Sequence, residues 1–263
     1  MEASELTVGF APELLLFLPA RLRGVQVTAT ADGTSTIGHL IESVGPPLTE
    51  VGDILASGRP VEPSFRPRGG ESVTVLPVRR PQELPSGRAR FVLDVHLGTL
   101  ARRLRLLGVD TGYRNDMDDD ALIAQANAED RILLTQDRGL LKRRMLRHGA
   151  FVRGSRPDDQ LRDVLDRFAP DPRPWTRCVV CNGDLTAVGK QEVDPVLMPG
   201  TRRTYDSYHR CRDCGRVYWH GAHSRHLDAI VHEARRIVGR SGTLAGGDGA
   251  AQQPAGDTRR PAR

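Results

Sequence analysis

The chain has no apolar run near the roughly 18 residues that a membrane-spanning helix needs. Its longest, residues 14–18, follows Glu13 and is far too short. The opening Met1-Glu2-Ala3-Ser4-Glu5 lacks the basic stretch and cleavage site of a secretory leader, so the cytoplasm is the expected compartment and no membrane partner is expected. Lysine is nearly missing: Lys142 and Lys190 are the only two among 38 basic side chains, the rest being arginine. A phosphoacceptor receiver domain also carries aspartates at strand ends, but it needs a lysine near a late strand, and none is available. Cysteine is scarce, with four in the chain, and no internal repeat is visible. An arginine bias follows base composition as readily as ligand, so the net charge of +5 points to nucleic acid only where arginines interleave with aromatic residues. The excess lies at the carboxyl end: residues 171–263 hold 15 basic and 10 acidic side chains, whereas residues 1–88 hold 8 and 10.

Residues 22–30 alternate as a strand does, Ala31-Asp32-Gly33 supplies a turn, and residues 36–44 carry helical spacing at Ile37, Leu40, Ile41 and Val44. With a closing strand at 72–78, this is the order of a β-grasp unit, loosely ubiquitin-like, expected with its linker over residues 1–88. A sulfur carrier would need a free Gly-Gly carboxy terminus, and Gly69-Gly70 is internal, so a docking module for a protein partner is expected instead. Residues 79–87, with Pro81 and Pro85, read as a linker. Over 89–170, strands at 91–95, 110–114, 131–135 and 150–153 alternate with helices at 97–107, 118–128, 138–148 and 158–168. This order predicts an α/β unit with a parallel sheet covered on both faces. Asp171-Pro172-Arg173-Pro174 is a hinge into a third unit, 171–238, closing on a helix at 227–238. The Gly-, Ala- and Pro-rich residues 239–263 are expected to be disordered.

The cysteines form two knuckles, Cys178-x2-Cys181 and Cys211-x2-Cys214. A two-residue spacer lets both thiolates of a knuckle reach one ion, and two knuckles close a tetrahedral site, so a structural Zn²⁺ is expected. An iron–sulfur cluster, disulfides and a redox pair are the alternatives. The intervening 29 residues are expected to form a hairpin insert. Arg202, Arg203, Tyr205, Tyr208, Arg210, Arg212, Arg216, Tyr218, Trp219, His220, His223, Arg225 and His226 crowd this region. Guanidinium groups take phosphates and rings stack on unpaired bases, so RNA is the expected partner, with Arg210, Arg212 and Trp219 as contacts; the alternative for Tyr218 and Trp219 is a small core.

Three aspartates stand out by position. Asp94 ends the apolar strand that includes Phe91-Val92-Leu93, Asp137 follows Ile132-Leu133-Leu134-Thr135-Gln136, and Asp119 lies in the acidic run that opens a helix. Ligands of open α/β sheets bind beyond the carboxyl ends of the strands, so the three carboxylates are expected at one rim. Hard oxygen donors select Mg²⁺ or Mn²⁺, which activates water and stabilises the charge of phosphodiester cleavage. Each aspartate alone reads equally as a helix cap. Arg102, Arg103 and Arg105 on one helix, and Arg138, Lys142, Arg143, Arg144 and Arg147 on another, are candidates to track a phosphate backbone from beside the rim.

Phe91-Val-Leu-Asp94, residues 100–111 (Leu-Ala-Arg-Arg-Leu-Arg-Leu-Leu-Gly-Val-Asp-Thr), Asp119-Asp-Ala-Leu-Ile-Ala-Gln-Ala126 and Arg131-Ile-Leu-Leu-Thr-Gln-Asp137 resemble the Mut7-C ribonuclease domain, a PIN-like family. The cysteines followed by Arg216-Val-Tyr-Trp-His-Gly-Ala-His223 resemble the zinc ribbon that closes that domain, and the first unit resembles the ubiquitin-like domain often joined to it. The resemblance implies a PIN-like three-layer α/β/α fold and metal-dependent RNA cleavage. It implies acid positions at Asp94, Asp119 and Asp137, with Asp116 as a fourth. Relatives often carry another acid two residues after the last aspartate; here that position is Gly139. The reading that competes with a ribonuclease is a non-catalytic RNA-binding or ribosome-associated adaptor with a vestigial acid site.

Overall fold

The computed structural model describes residues 4–85, 87–221 and 224–245. None of the described helices is long and apolar enough to cross a membrane. The chain begins with β1 (Ser4–Phe10), which buries Leu6 and Val8 and turns Glu5 and Thr7 outward. This strand does not stand out in the sequence, because its alternation runs on toward the apolar stretch at 14–18. β2 (Val27–Ala31) is shorter than expected, since the chain first makes a 3-10 turn at Ala20–Leu22 and bends at Gly24. Then follow α1 (Ile37–Val44), β3 (Val51–Ala56), β4 (Arg59–Val61) and β5 (Ser72–Pro77). The Thr36 side chain caps α1 by accepting from the His39 amide. Gly45 ends the helix at a φ of 155°, where a Cβ would meet the Phe17 carbonyl oxygen at 2.4 Å. The sheet order is β2-β1-β5-β3-β4, with β1 and β5 parallel, and one helix packs on it: the β-grasp arrangement that the element order predicts.

The second unit runs β6 (Arg90–Leu93), α2 (Gly98–Leu106), β7 (Asp110–Tyr113), α3 (Asp119–Ala128), β8 (Ile132–Thr135), α4 (Arg138–Leu141), β9 (Gly149–Phe151) and α5 (Pro157–Phe168). All neighbours in its sheet, ordered β7-β6-β8-β9, are parallel. Side chains alternate across it as strand geometry requires. Phe91, Leu93, Ile132 and Leu134 pack with α2 and α5 on one face, while Val92 and Leu133 pack with α3 and α4 on the other. Three layers result. The basic helix expected over 138–148 is a single turn, followed by tight turns from Lys142 onward. The turn ends at Leu141, and the closely spaced Lys142, Arg143, Arg144 and Arg147 repel along any continued helix.

The third unit contains β10 (Leu185–Val188), α6 (Lys190–Val193), α7 (Pro199–Thr204), β11 (Tyr208–Cys211), β12 (Val217–Trp219) and α8 (Ser224–Ala245). The insert between the knuckles is a hairpin stem, β10 against β11, whose loop is folded into short helices rather than a plain hairpin. α8 packs on α5 through Ala234 and Ile237 and continues to Ala245, so residues 239–245, expected in the tail, are helical; residues 246–263 lie outside the described residues.

The first unit is docked tightly on the second. Arg167 of α5 and Glu50, both 1 % exposed, form an ion pair in which Arg167 Nη1 donates to both carboxylate oxygens, at 2.7 and 2.9 Å. Glu50 Oε1 also accepts from the Phe151 amide, and Arg167 donates further to Thr49 O and to Gln82 of the linker. The Phe17 and Phe151 rings meet edge to face at 5.1 Å.

Candidate active site and metal centre

Asp94 and Asp137 lie just past the carboxyl ends of β6 and β8, and Asp119 opens α3 beyond β7. Asp94 ends β6, 8 % exposed, with its amide donating to Leu134 O of β8. Its Oδ1 accepts from the Val95 amide at 2.6 Å, the cap that a lone aspartate would make. Its Oδ2 accepts from the Thr135 hydroxyl at 2.6 Å, and Thr135 Oγ1 in turn accepts from the Asp137 amide at 2.9 Å. Thr135, fully buried at the end of β8, therefore ties Asp94 to Asp137. Sequence reasoning passed over it; the signal was a hydroxyl closing an otherwise apolar strand. Asp137 Oδ1 caps α4 through the Gly139 and Leu140 amides, and no partner of Oδ2 is found among the described residues. Beyond β7, Asp118 rather than Asp119 caps α3, while Asp119 is exposed. Asp116 is exposed and paired with Arg114, whose hydrogen bond and charge lower its pKa. Asp94, Asp119 and Asp137 are not drawn within 4.8 Å of one another as a set.

Most of the basic residues expected to flank this rim have protein partners. Arg138 donates to Leu16 O and Phe17 O, and Lys142 to Glu42 O, so both hold the β-grasp unit. Arg143 pairs with Asp120 and Arg103 with Asp158. Arg105 is buried and donates to Thr111 O, Val179 O and Val180 O, a structural role that removes it from any RNA surface. Arg102 is exposed.

The four cysteines meet. Their sulfurs lie within 4.8 Å of one another, with Cys178–Cys214 at 3.7 Å and Cys181–Cys211 at 3.5 Å. A disulfide needs about 2 Å, whereas a tetrahedron of bonds of about 2.3 Å has edges of about 3.8 Å; the cluster has the dimensions of a zinc site. Burial opposes ionisation of Cys178, but hydrogen bonds from Tyr218 and from the Cys181 and Val180 amides outweigh it and bring its pKa down to about 6. Burial and the neighbouring thiols push Cys181 up to about 12. One thiolate forms readily; four together need a cation.

The ribbon sits at the opposite edge of the sheet from the acids. Asn182, after the first knuckle, accepts from the Thr111 amide and donates to Asp110 at the start of β7, and Arg173 N donates to Leu107 O at the end of α2. Burial of Asp110 is outweighed by hydrogen bonds from Arg131 and Asn182, which lower its pKa. A four-residue strand spans about 13 Å, so at least that distance separates knuckle and rim. On the ribbon, Arg210 donates to Glu192 O across the insert, Arg212 is exposed, and Trp219 packs near Tyr208.

Two family models match the chain: the Mut7-C RNAse domain over residues 89–231 and the Mut7-C ubiquitin domain over residues 3–83. The first alone covers more than half of the chain, which therefore belongs to the Mut7-C RNAse domain family. No curated protein and no solved structure matches it.

Proposed function

We propose that the chain is a metal-dependent ribonuclease that cleaves RNA phosphodiester bonds at the rim formed by Asp94, Asp119 and Asp137, with Asp116 at its margin. The observation that carries this reading is the Thr135 bridge, which joins the ends of two adjacent parallel strands and holds two carboxylate residues together in a family of RNase domains. The donors are hard oxygens, as Mg²⁺ or Mn²⁺ requires, and the unpartnered Asp137 Oδ2 is available to a cation. A divalent ion held there would activate water and offset the charge of the phosphoryl transition state. The chain's own contribution is to fix Asp94 against rotation, through the Val95 amide and the Thr135 hydroxyl, and to lock Asp137 on the first turn of α4. Arg102, Arg103, Arg143 and Arg212 supply positive charge for the phosphate backbone, and Trp219 a stacking ring; Arg210 acts mainly by bracing the ribbon insert. The test is cleavage of labelled cellular RNAs by protein freed of Mg²⁺ and Mn²⁺ and then resupplied. Cleavage should appear only on resupply, and activity that is indifferent to either ion would rule the reading out.

The adaptor reading is favoured by Gly139 and by the fact that Asp94, Asp119 and Asp137 do not converge within 4.8 Å as a set. It predicts RNA binding without divalent-dependent cleavage in the same assay.

Zinc at the four cysteines holds the ribbon together. Elemental analysis of protein purified without chelator should give one zinc per chain, and Cys211→Ser should lose the metal and unfold the ribbon. A stoichiometry well below one would remove the assignment. A protein partner of the β-grasp unit has to use surface away from Leu16, Phe17, Glu42 and Glu50, which the RNase unit already covers.

A further inference from the structure

A cleft of about 500 Å³ opens between the ribbon, the end of α2 and α8, at the edge of the sheet away from the acids. Leu106, Val179, Leu185 and Val231 give it apolar surface; Trp175, Tyr218 and Trp219 give it rings; Arg177, Arg235, His220 and Asp228 give it polar groups. The chain has two tryptophans, and both are here.

Three observations point to a ligand. Trp175 sits at a φ of 66°, a conformation that bulky residues rarely adopt and that costs on the order of 1–3 kcal/mol unless the surroundings impose it. Its ring lies 4.3 Å from that of His220 and 6.0 Å from that of His209, so the strain places an aromatic surface at the cleft. Arg235 is exposed on α8 and has no hydrogen-bond or ion-pair partner among the described residues, whereas the neighbouring Arg236 is paired with Glu233. Arg177 is bound to Asp110 and Asp184, which leaves Arg235 as the guanidinium available to an anion. The volume lies in the range of small-ligand sites. An apolar wall with rings, one unpaired cation and one carboxylate matches a planar base with a nearby phosphate: the base stacks, the phosphate meets Arg235, and Asp228 accepts from an exocyclic amine.

We infer that this cleft binds one unpaired nucleotide, as an anchor for the RNA strand at a distance from the cleaved bond. The inference rests on the RNA reading above for the identity of the strand, but not on catalysis. With knuckle and rim on opposite edges of the sheet, the anchored base is not the nucleotide at the scissile phosphate. It fixes the register of a strand that passes from one edge of the sheet to the other.

The tryptophans make the test direct. Intrinsic tryptophan fluorescence of the full chain is titrated, without Mg²⁺ or Mn²⁺, with the four nucleoside 5′-monophosphates, with an unstructured oligoribonucleotide and with N-acetylphenylalaninamide as an uncharged aromatic probe. Saturable change with the oligoribonucleotide is expected, weakened about tenfold or more by Arg235→Ala and by Trp175→Ala and largely kept by Trp175→Phe. Arg235 is exposed, so its substitution tests the site even if Trp175→Ala disturbs the fold. Monophosphates that bind as tightly as the oligomer would make the cleft a free-nucleotide site, with the nucleotide chemistry upheld and the anchor overturned. No saturable change with any nucleotide, or tight binding of the amide unaffected by Arg235→Ala, would overturn the whole proposal, the second outcome in favour of an aromatic side chain of a protein. Nucleotide binding that persists in a protein without divalent-dependent cleavage would refute the ribonuclease and leave the anchor standing; cleavage without nucleotide-dependent fluorescence would do the reverse.

Discussion

Glu50→Ala should lower stability by about 3–5 kcal/mol, the cost of leaving a buried guanidinium without its partner. Arg167 is 1 % exposed; burial already pulls its pKa down, and the Glu50 charge is the main opposing influence. Removing the carboxylate also strands the Phe151 amide, which donates to the same Oε1. At roughly 2–4 °C per kcal/mol for a chain of this size, the melting temperature should fall by about 10 °C. Because the pair joins two units, a single transition is expected to split, the β-grasp unit melting first. Glu50→Gln keeps an acceptor for the Phe151 amide and should be milder. The double variant Glu50→Leu, Arg167→Met removes both charges and should recover part of the loss, since an apolar pair of similar volume is often neutral or better than a buried ion pair. An unchanged melting temperature in Glu50→Ala would show that the units are held by other contacts, of which Phe17 on Phe151 is the first candidate.

That interface explains where the sequence could be read and where it could not. The parallel sheet was legible because Phe91-Val92-Leu93 and Ile132-Leu133-Leu134 are buried on both faces, and burial on both faces leaves a continuous apolar run in the sequence. The two knuckles were legible because zinc geometry fixes a spacing. Arginine carries no such local mark. The same residue type holds a domain at Arg138, props a knuckle at Arg105, fills a buried pair at Arg167 and has no partner among the described residues at Arg235, and only the partner, often more than 70 residues away, distinguishes them. Helical spacing failed at 138–148 for a related reason: the basic run resembles a solvated helix face, while two of its members are bound to the β-grasp unit. Glu50 and Thr135, the residues that organise the interface and the acid rim, stand at the boundaries of short apolar segments, Glu50 just before β3 and Thr135 at the end of β8. Their positions mark them as polar groups beside apolar segments, but only the fold names their partners, Arg167 and Asp94.

Asp94→Asn should abolish cleavage while leaving the fold and RNA affinity nearly intact, and this outcome separates a ligand from a cap. As a cap, Asp94 needs one oxygen to accept from the Val95 amide, and asparagine supplies it. As a ligand it needs an anionic oxygen for a hard cation, and asparagine does not. The substitution is not free of structural effect, because Oδ2 also accepts from the buried Thr135 hydroxyl and asparagine turns a donor toward it; a loss of about 1 kcal/mol is expected. Cleavage should fall by about a thousandfold or more, the measure of several kcal/mol of charge stabilisation at the transition state. Thr135→Val supplies the control for geometry. It keeps the shape, removes the bridge between Asp94 and Asp137, and should slow cleavage less than Asp94→Asn while raising the Mg²⁺ or Mn²⁺ concentration needed for half-maximal rate, a shift that general destabilisation would not produce. Asp119→Asn and Asp137→Asn should follow Asp94→Asn in rate. Asp171→Asn, on an exposed pair with Arg173 beside the hinge, should match the parent chain. Equal cleavage by Asp94→Asn and parent protein would place the activity elsewhere or in a contaminant, and the RNA-binding adaptor would then be the better description of the chain.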